Sequence, residues 1–183
     1  REAANAGSRV RDGTAVAGLD YVPVYGTVVF PPGSTNQLVR VPVIGDRISE
    51  SNLTFFVTLD GAVNAGIAHG RALGTILDNR DPTPAIRIDD VTITEGDSGT
   101  VSAVFDVRLS TRSGRTVTVQ YLTANGSALG NTDYVPATGT VTFPPGVINQ
   151  TIAIAVIGDT LSESNETFFV NLSGSTNAGF SDS

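Results

Sequence analysis

The chain of 183 residues carries a formal net charge of −7, with 40% apolar and only 16% charged residues. That apolar share suits a folded protein rather than a disordered one, the acidic balance argues against a basic nucleic-acid surface, and no apolar run approaches the length of a membrane span. With no Cys and one His, the composition excludes a disulfide framework, a thiolate metal site and an ordinary zinc site.

In chain order, Arg1–Ser8 is polar and small and does not read as a strand. Val39, Val41 and Val43 then alternate with other residues, as do Phe55, Val57 and Leu59, and this period-2 alternation means strands with one buried face. Pro42 lies inside the first of these strands and cannot donate a ladder hydrogen bond, which places that strand at a sheet edge or a bulge. Asn79-Arg80-Asp81-Pro82-Thr83-Pro84 reads as a short linker, stiffened by its prolines, that favours a fixed angle between modules. Strands are expected next at Val91–Thr94, Thr100–Ser110 and Thr116–Leu122, then through Ile152, Ile154 and Val156, and finally through Phe168, Val170 and Leu172. Pro-Pro-Gly and Gly clusters mark the turns. Phe56 and Phe169 fall on the face opposite Phe55 and Phe168, and packing on a second sheet is their expected role.

The chain also repeats itself. Leu19–Pro23 (LDYVP) returns as Thr132–Pro136 (TDYVP), an offset of 113 residues. The same offset joins Phe30–Gly33 to Phe143–Gly146, Val43–Asp46 to Val156–Asp159, Ser49–Asn52 to Ser162–Asn165, Thr54–Val57 to Thr167–Val170, and Asn64–Gly66 to Asn177–Gly179. Chance does not hold such a register, so the chain is a duplication. Many short strands spaced by turns give an all-β fold of two tandem immunoglobulin-like β-sandwiches. The repeats are expected at 1–81 and 85–183, with 82–84 as linker. The first is expected to lack its opening strands and the second the segment that matches His69–Asp78. Open edges of that kind point to a slice of a longer array, or to strands supplied by neighbouring chains.

Five segments together resemble the Calx-β domain: ITEGDSGT (Ile93–Thr100), TVTVQYLTANGSA (Thr116–Ala128), DYVPATGTVTFPPG (Asp133–Gly146), VIGDTLSESNETFFVNLS (Val156–Ser173) and GTILDN (Gly74–Asn79). The resemblance covers nearly the whole chain and implies a seven-stranded sandwich. It implies calcium binding at loops on one end, as in sodium–calcium exchangers, or a repeat of a bacterial or extracellular adhesin or matrix protein.

Calcium is a hard cation that takes about six to eight oxygens, several of them from carboxylates. The resemblance places candidate ligands at Glu95, Asp133, Asp159, Glu163 and Glu166 in the second repeat, and at Asp20, Asp46, Glu50, Asp78 and Asp81 in the first. Leu53 stands where the second repeat has Glu166, and Asn79 and Arg80 interrupt the closing acids of the first, so weak rather than tight binding is implied. The alternative is that these carboxylates are solvated, or cap backbone N–H groups in turns. His69 reads as a surface loop residue. The N-x-[ST] sequons at Asn52, Asn125, Asn149, Asn165 and Asn171 are candidate glycan sites in a secreted eukaryotic protein, though several arise by chance in a chain rich in Asn, Ser and Thr, and fold chemistry explains Asn52 and Asn165, which share a repeat position, at least as well.

The expected function is a non-catalytic extracellular or cell-surface module, a structural or adhesive spacer under calcium control. Its expected partners are neighbouring repeats of the same or adjacent chains and a surface ligand, with no nucleic acid and no transmembrane segment. The alternative is a self-assembling subunit of a filament, sheath or surface layer, completed by strand exchange between chains.

Overall fold

The computed structural model describes residues 2–181, and its regular structure is all β-strand. Two compact units form, Arg1–Arg47 with Ser51–Arg80 and Ile48–Glu50 with Asp81–Ser183, so that their main boundary falls between Arg80 and Asp81.

In the first unit β1 (Ala4–Asp12), β2 (Tyr25–Phe30), β3 (Leu53–Val63) and β4 (Arg71–Ile76) make one antiparallel sheet in the order β2-β1-β3-β4. β1 corrects the reading of Arg1–Ser8 as non-strand. Composition misled there because β1 lies between two partners, whose ladders supply its hydrogen bonds without help from strong strand formers. Ala6 and Val10 then suffice to bury its inner face. At the repeat offset β1 is the counterpart of Val117–Asn125, so one of the strands expected to be missing from the first repeat is present.

In the second unit β5 (Ala85–Ile88), β6 (Thr100–Leu109), β9 (Asn149–Ile157) and β11 (Gly179–Phe180) form a sheet in the order β11-β5-β6-β9. β7 (Val117–Asn125), β8 (Thr138–Phe143) and β10 (Phe168–Thr176) form a second, in the order β10-β7-β8. Ile86, Val107, Leu109, Ile152 and Ile154 from the first sheet close on Val117, Val119, Val141 and Phe143 from the second. Their alternation with exposed residues is the expected signature of a sandwich. The strand expected at Val91–Thr94 is not formed. The strand lies earlier, at β5, and after Asp89 donates to the Asp106 carbonyl the chain leaves the ladder for a loop through Gly96 and Gly99.

The strand expected around Val39, Val41 and Val43 also fails to form a ladder. Its counterpart β9 pairs with β6, and the first unit has no counterpart of β6 among the described residues. Val41 still packs on the first unit's core. Pro42 is tolerated as an acceptor, its carbonyl receiving the Val22 N–H at 2.9 Å.

Phe56 and Phe169 do not pack on a second sheet. Phe169 is 55% exposed, and Phe56 lies under the Arg71 guanidinium, 3.5 Å from its ring centroid.

Candidate metal centre

The candidate ligands of the second repeat start from one tight turn. Leu129 and Tyr134 bound it, with the Thr132 and Asp133 amides donating to the Leu129 carbonyl at 3.2 and 2.9 Å and the Asn131 amide donating to the Tyr134 carbonyl at 2.7 Å. Asn131 takes a positive φ of 68°, which its short polar side chain tolerates, and Gly18 does the same at the equivalent position with 85°. The turn aims the Asp133 carboxylate back on itself, so that Asp133 Oδ2 accepts the Leu129 N–H at 2.6 Å. The Asp133 carbonyl accepts from Ile157 at 2.9 Å, which ties the turn to the end of β9.

The chain leaves β9 through Gly158 and Asp159. Gly158 is buried against the loop of Glu95 and Gly96, and its amide donates to the Gly99 carbonyl at 3.0 Å. Asp159 Oδ1 accepts the Leu161 N–H at 2.6 Å, opening the loop that carries Glu163 and Glu166 toward β10. Asp133, Glu163 and Glu166 each bring a carboxylate oxygen to within 4.8 Å of the others.

These carboxyls crowd one another. Both glutamates reach solvent, yet their carboxyls hold protons above the ordinary carboxylate range. For Glu163 the causes are lost hydration first, then the charges of Asp159, Asp133 and Glu95. For Glu166 lost hydration again leads, followed by the charge of Asp133, a hydrogen bond to it, and the charges of Glu163 and Glu95. Glu95 and Asp159 lie outside the group of three but close enough to act on it electrostatically.

In the first repeat Asp20 and Asp46 lie in the first unit, whereas Glu50 is counted with the second. Asp20 Oδ2 accepts the Val16 N–H at 2.6 Å, just as Asp133 does with Leu129. Asp78 and Asp81 join no cluster of three acids among the described residues. Asp78 Oδ2 accepts the Arg80 N–H at 3.2 Å and the Asp78 amide donates to Asn52 Oδ1 at 3.1 Å, a turn-capping duty.

Two residues were missed by reading only the acids of the family pattern. Asn125 Oδ1 accepts both the Tyr134 hydroxyl at 2.7 Å and the Gly130 N–H at 3.0 Å. Asp12 Oδ1 holds Tyr21 and the Ala17 N–H in the same way. Burial, and then the hydrogen bond to Asp12 and its charge, push the Tyr21 hydroxyl up to about 12. The signal was present, since the 113-residue offset joins Asp12 to Asn125 as well as Tyr21 to Tyr134. Asn52 and Asn125 thus have hydrogen-bonding duties in the fold that explain two of the sequons.

The Calx-beta domain family matches residues 4–80 and again 78–180. Sodium/calcium exchanger 1 of Cavia porcellus is 32% identical over 186 residues, an alignment covering 90% of this chain and 19% of the exchanger. The dog protein (Canis lupus familiaris) of the same name is 34% identical with the same coverage, and human sodium/calcium exchanger 2 is 30% identical over 185 residues, covering 90% of this chain and 20% of its own. The chain therefore spans about a fifth of the length of the curated relatives it matches. Among solved structures, the calcium binding domain CBD12 of CALX1.1 is 27% identical, with 94% of this chain and 67% of that one covered and a TM-score of 0.40. The apo-form Calx CBD1 domain is 32% identical, with 41% of this chain and 66% of that one covered and a TM-score of 0.40.

These findings correct the expected function and location. The curated relatives are mammalian sodium/calcium exchangers, not bacterial or extracellular adhesins, matrix proteins or filament subunits. The adhesive-spacer reading, its self-assembling alternative and the extracellular or cell-surface location are overturned with them. Two tandem matches that together span nearly the whole chain show that it belongs to the Calx-beta domain family.

Proposed function

We propose that this chain is a calcium-binding control module within a larger protein of the exchanger kind. Asp133, Glu163 and Glu166 would hold the ion in the second repeat, with Asp159 and Glu95 adding negative field. The observation that carries this reading is the convergence of three carboxylates, in which lost hydration and the charge of Asp133 raise the proton affinity of Glu163 and Glu166. A hard divalent cation fits such an all-oxygen set and relieves its repulsion. Bound calcium would supply the positive charge the cluster lacks and brace Asp133, fixed to the end of β9, against Glu166 at the approach to β10. Names of the relatives, which include calcium in their transport or binding, support the choice of ion.

The first repeat keeps Asp20 and Asp46 of the pattern but offers a poorer ligand set. Leu53 stands where the second repeat has Glu166, and Arg47 where it has Thr160. A division into two repeats is supported by the two family matches, 4–80 and 78–180, and by the unit boundary at Arg80–Asp81, while the limits 1–81 and 85–183 with 82–84 as linker remain the proposal from sequence.

Isothermal titration of calcium into the metal-stripped 183-residue chain tests the reading. Saturable binding that is lost in Asp133→Asn with Glu163→Gln is the expected result. No heat at millimolar calcium would overturn it.

A further inference from the structure

We infer that Tyr134 and Asn125 are positioning residues that set the calcium affinity of the second repeat without touching the ion. The inference rests on the calcium site proposed above.

One oxygen closes the turn from both ends. Asn125 Oδ1 takes the Gly130 N–H at 3.0 Å near the start of the turn and the Tyr134 hydroxyl at 2.7 Å at its end. Asp133 lies between those two anchors, and its carboxylate is pinned inside the same turn by the Leu129 N–H at 2.6 Å. Any twist of the turn therefore moves a ligand oxygen.

Tyr134 is itself held by three strands. Its ring, 1% exposed, stacks on Phe168 of β10 with centroids 4.5 Å apart and an interplanar angle of 15°. Its backbone bridges to Val156 of β9, and its hydroxyl reaches the last residue of β7. Phenylalanine would keep the stack and the burial and lose only the hydroxyl. The hydroxyl thus does a job that core packing does not ask for, since a buried polar group must find a partner or cost stability.

The first repeat is an independent instance. Its Asn36–Ile44 segment makes no ladder, yet the whole arrangement of the turn survives there. Asp12 holds Tyr21 and Ala17, Asp20 holds Val16, and Tyr21 stacks on Phe55 with centroids 5.3 Å apart. The bridge from Tyr21 to Val43 also persists, as Tyr134 to Val156 does, so the turn and its bridge recur as one unit where the longer ladder does not. Outer hydrogen-bond partners that orient metal ligands commonly govern affinity by about ten- to a hundredfold.

The test uses the full chain with the first repeat's loop acids removed by Asp20→Asn and Asp46→Asn, titrated with calcium chloride by calorimetry. Tyr134→Phe is expected to bind about tenfold more weakly. Asn125→Leu should lose affinity equally, whereas Asn125→Asp, which copies the Asp12 arrangement, should retain it. Thr123→Val serves as a control. It removes a comparable buried pair of hydrogen bonds to Ala137, 2.9 and 3.2 Å, elsewhere on β7, and should lower the melting temperature in chelator while leaving affinity unchanged. Equal affinity in Tyr134→Phe and its parent, or an equal loss in Thr123→Val, would overturn the inference. If Tyr134→Phe does not fold, the contrast between Asn125→Asp and Asn125→Leu decides: retention against loss supports the inference, and equal affinities overturn it. A parent chain that binds no calcium overturns the proposed function instead.

Discussion

Gly158 lies so close to Gly96 that a β-carbon on Gly158 would collide with the Gly96 backbone. This approach is what brings the Glu95 loop alongside Asp159, and it gives the glycine of the Val156–Asp159 motif a physical reason. Gly158→Ala is expected to destabilise the chain by about 1–3 kcal/mol, the usual cost of overpacking, and to weaken calcium binding. Gly45, at the matching position, meets nothing within 4 Å, so Gly45→Ala should change stability by less than about 0.5 kcal/mol. Urea unfolding in chelator checks both.

Calcium should raise the melting temperature, because a ligand that binds only the folded chain stabilises it by mass action. At a free concentration near a hundred times Kd the gain is about 2.7 kcal/mol. A scanning melt with and without calcium reads this directly, and Asp133→Asn should abolish most of the shift.

Without metal, the pH dependence has a defined sign. Glu163 and Glu166 bind protons more tightly in the folded chain than the ordinary value of 4.5. Their contribution to stability is complete below that value and is lost as the pH rises through the raised folded values. Glu166→Gln, which cannot ionise, should therefore raise the metal-free melting temperature at pH about 7 and flatten its fall with pH. The same variant should lose the calcium-induced rise. Melts across pH, in chelator and in calcium, separate the two effects.

Adjacent phenylalanines should behave oppositely. Phe168 carries the Tyr134 stack and an edge contact to Phe105 at 5.9 Å, whereas Phe169 is 55% exposed. Phe168→Ala is expected to cost about 3 kcal/mol, and Phe169→Ala less than about 0.5 kcal/mol, by denaturant unfolding.

The duplication, the sandwich class and the acids around Asp133 were legible because each is written in linear register. A constant offset, a period of two and a short motif need no knowledge of what pairs with what. The misreadings share the opposite property. β1 is a strand because β2 and β3 flank it, and its small residues do not announce those partners. Asn36–Ile44 has the alternation of a strand, but alternation specifies a buried face and says nothing about who supplies the ladder. Asn125 was read only as a sequon because it bonds Tyr134 nine residues away through a turn whose shape is set by Asn131 and Leu129. Among the acids, sequence could not separate Glu163 and Glu166, which converge on Asp133, from Asp78, which caps a turn.

The unpaired state of Asn36–Ile44 has a consequence for how the two repeats exchange protons with water. Amides laddered between β6 and β9 are released only by opening of the sheet, on the timescale of large-scale unfolding. In the first repeat the described backbone bonds leave that stretch closed chiefly at its end, where the Ile44 amide donates to Asp20 at 2.9 Å. Its valine amides can take up deuterium from the native state. The chain thus carries, 113 residues apart, a slow-exchanging strand and a fast-exchanging counterpart of the same register, each the internal clock for the other.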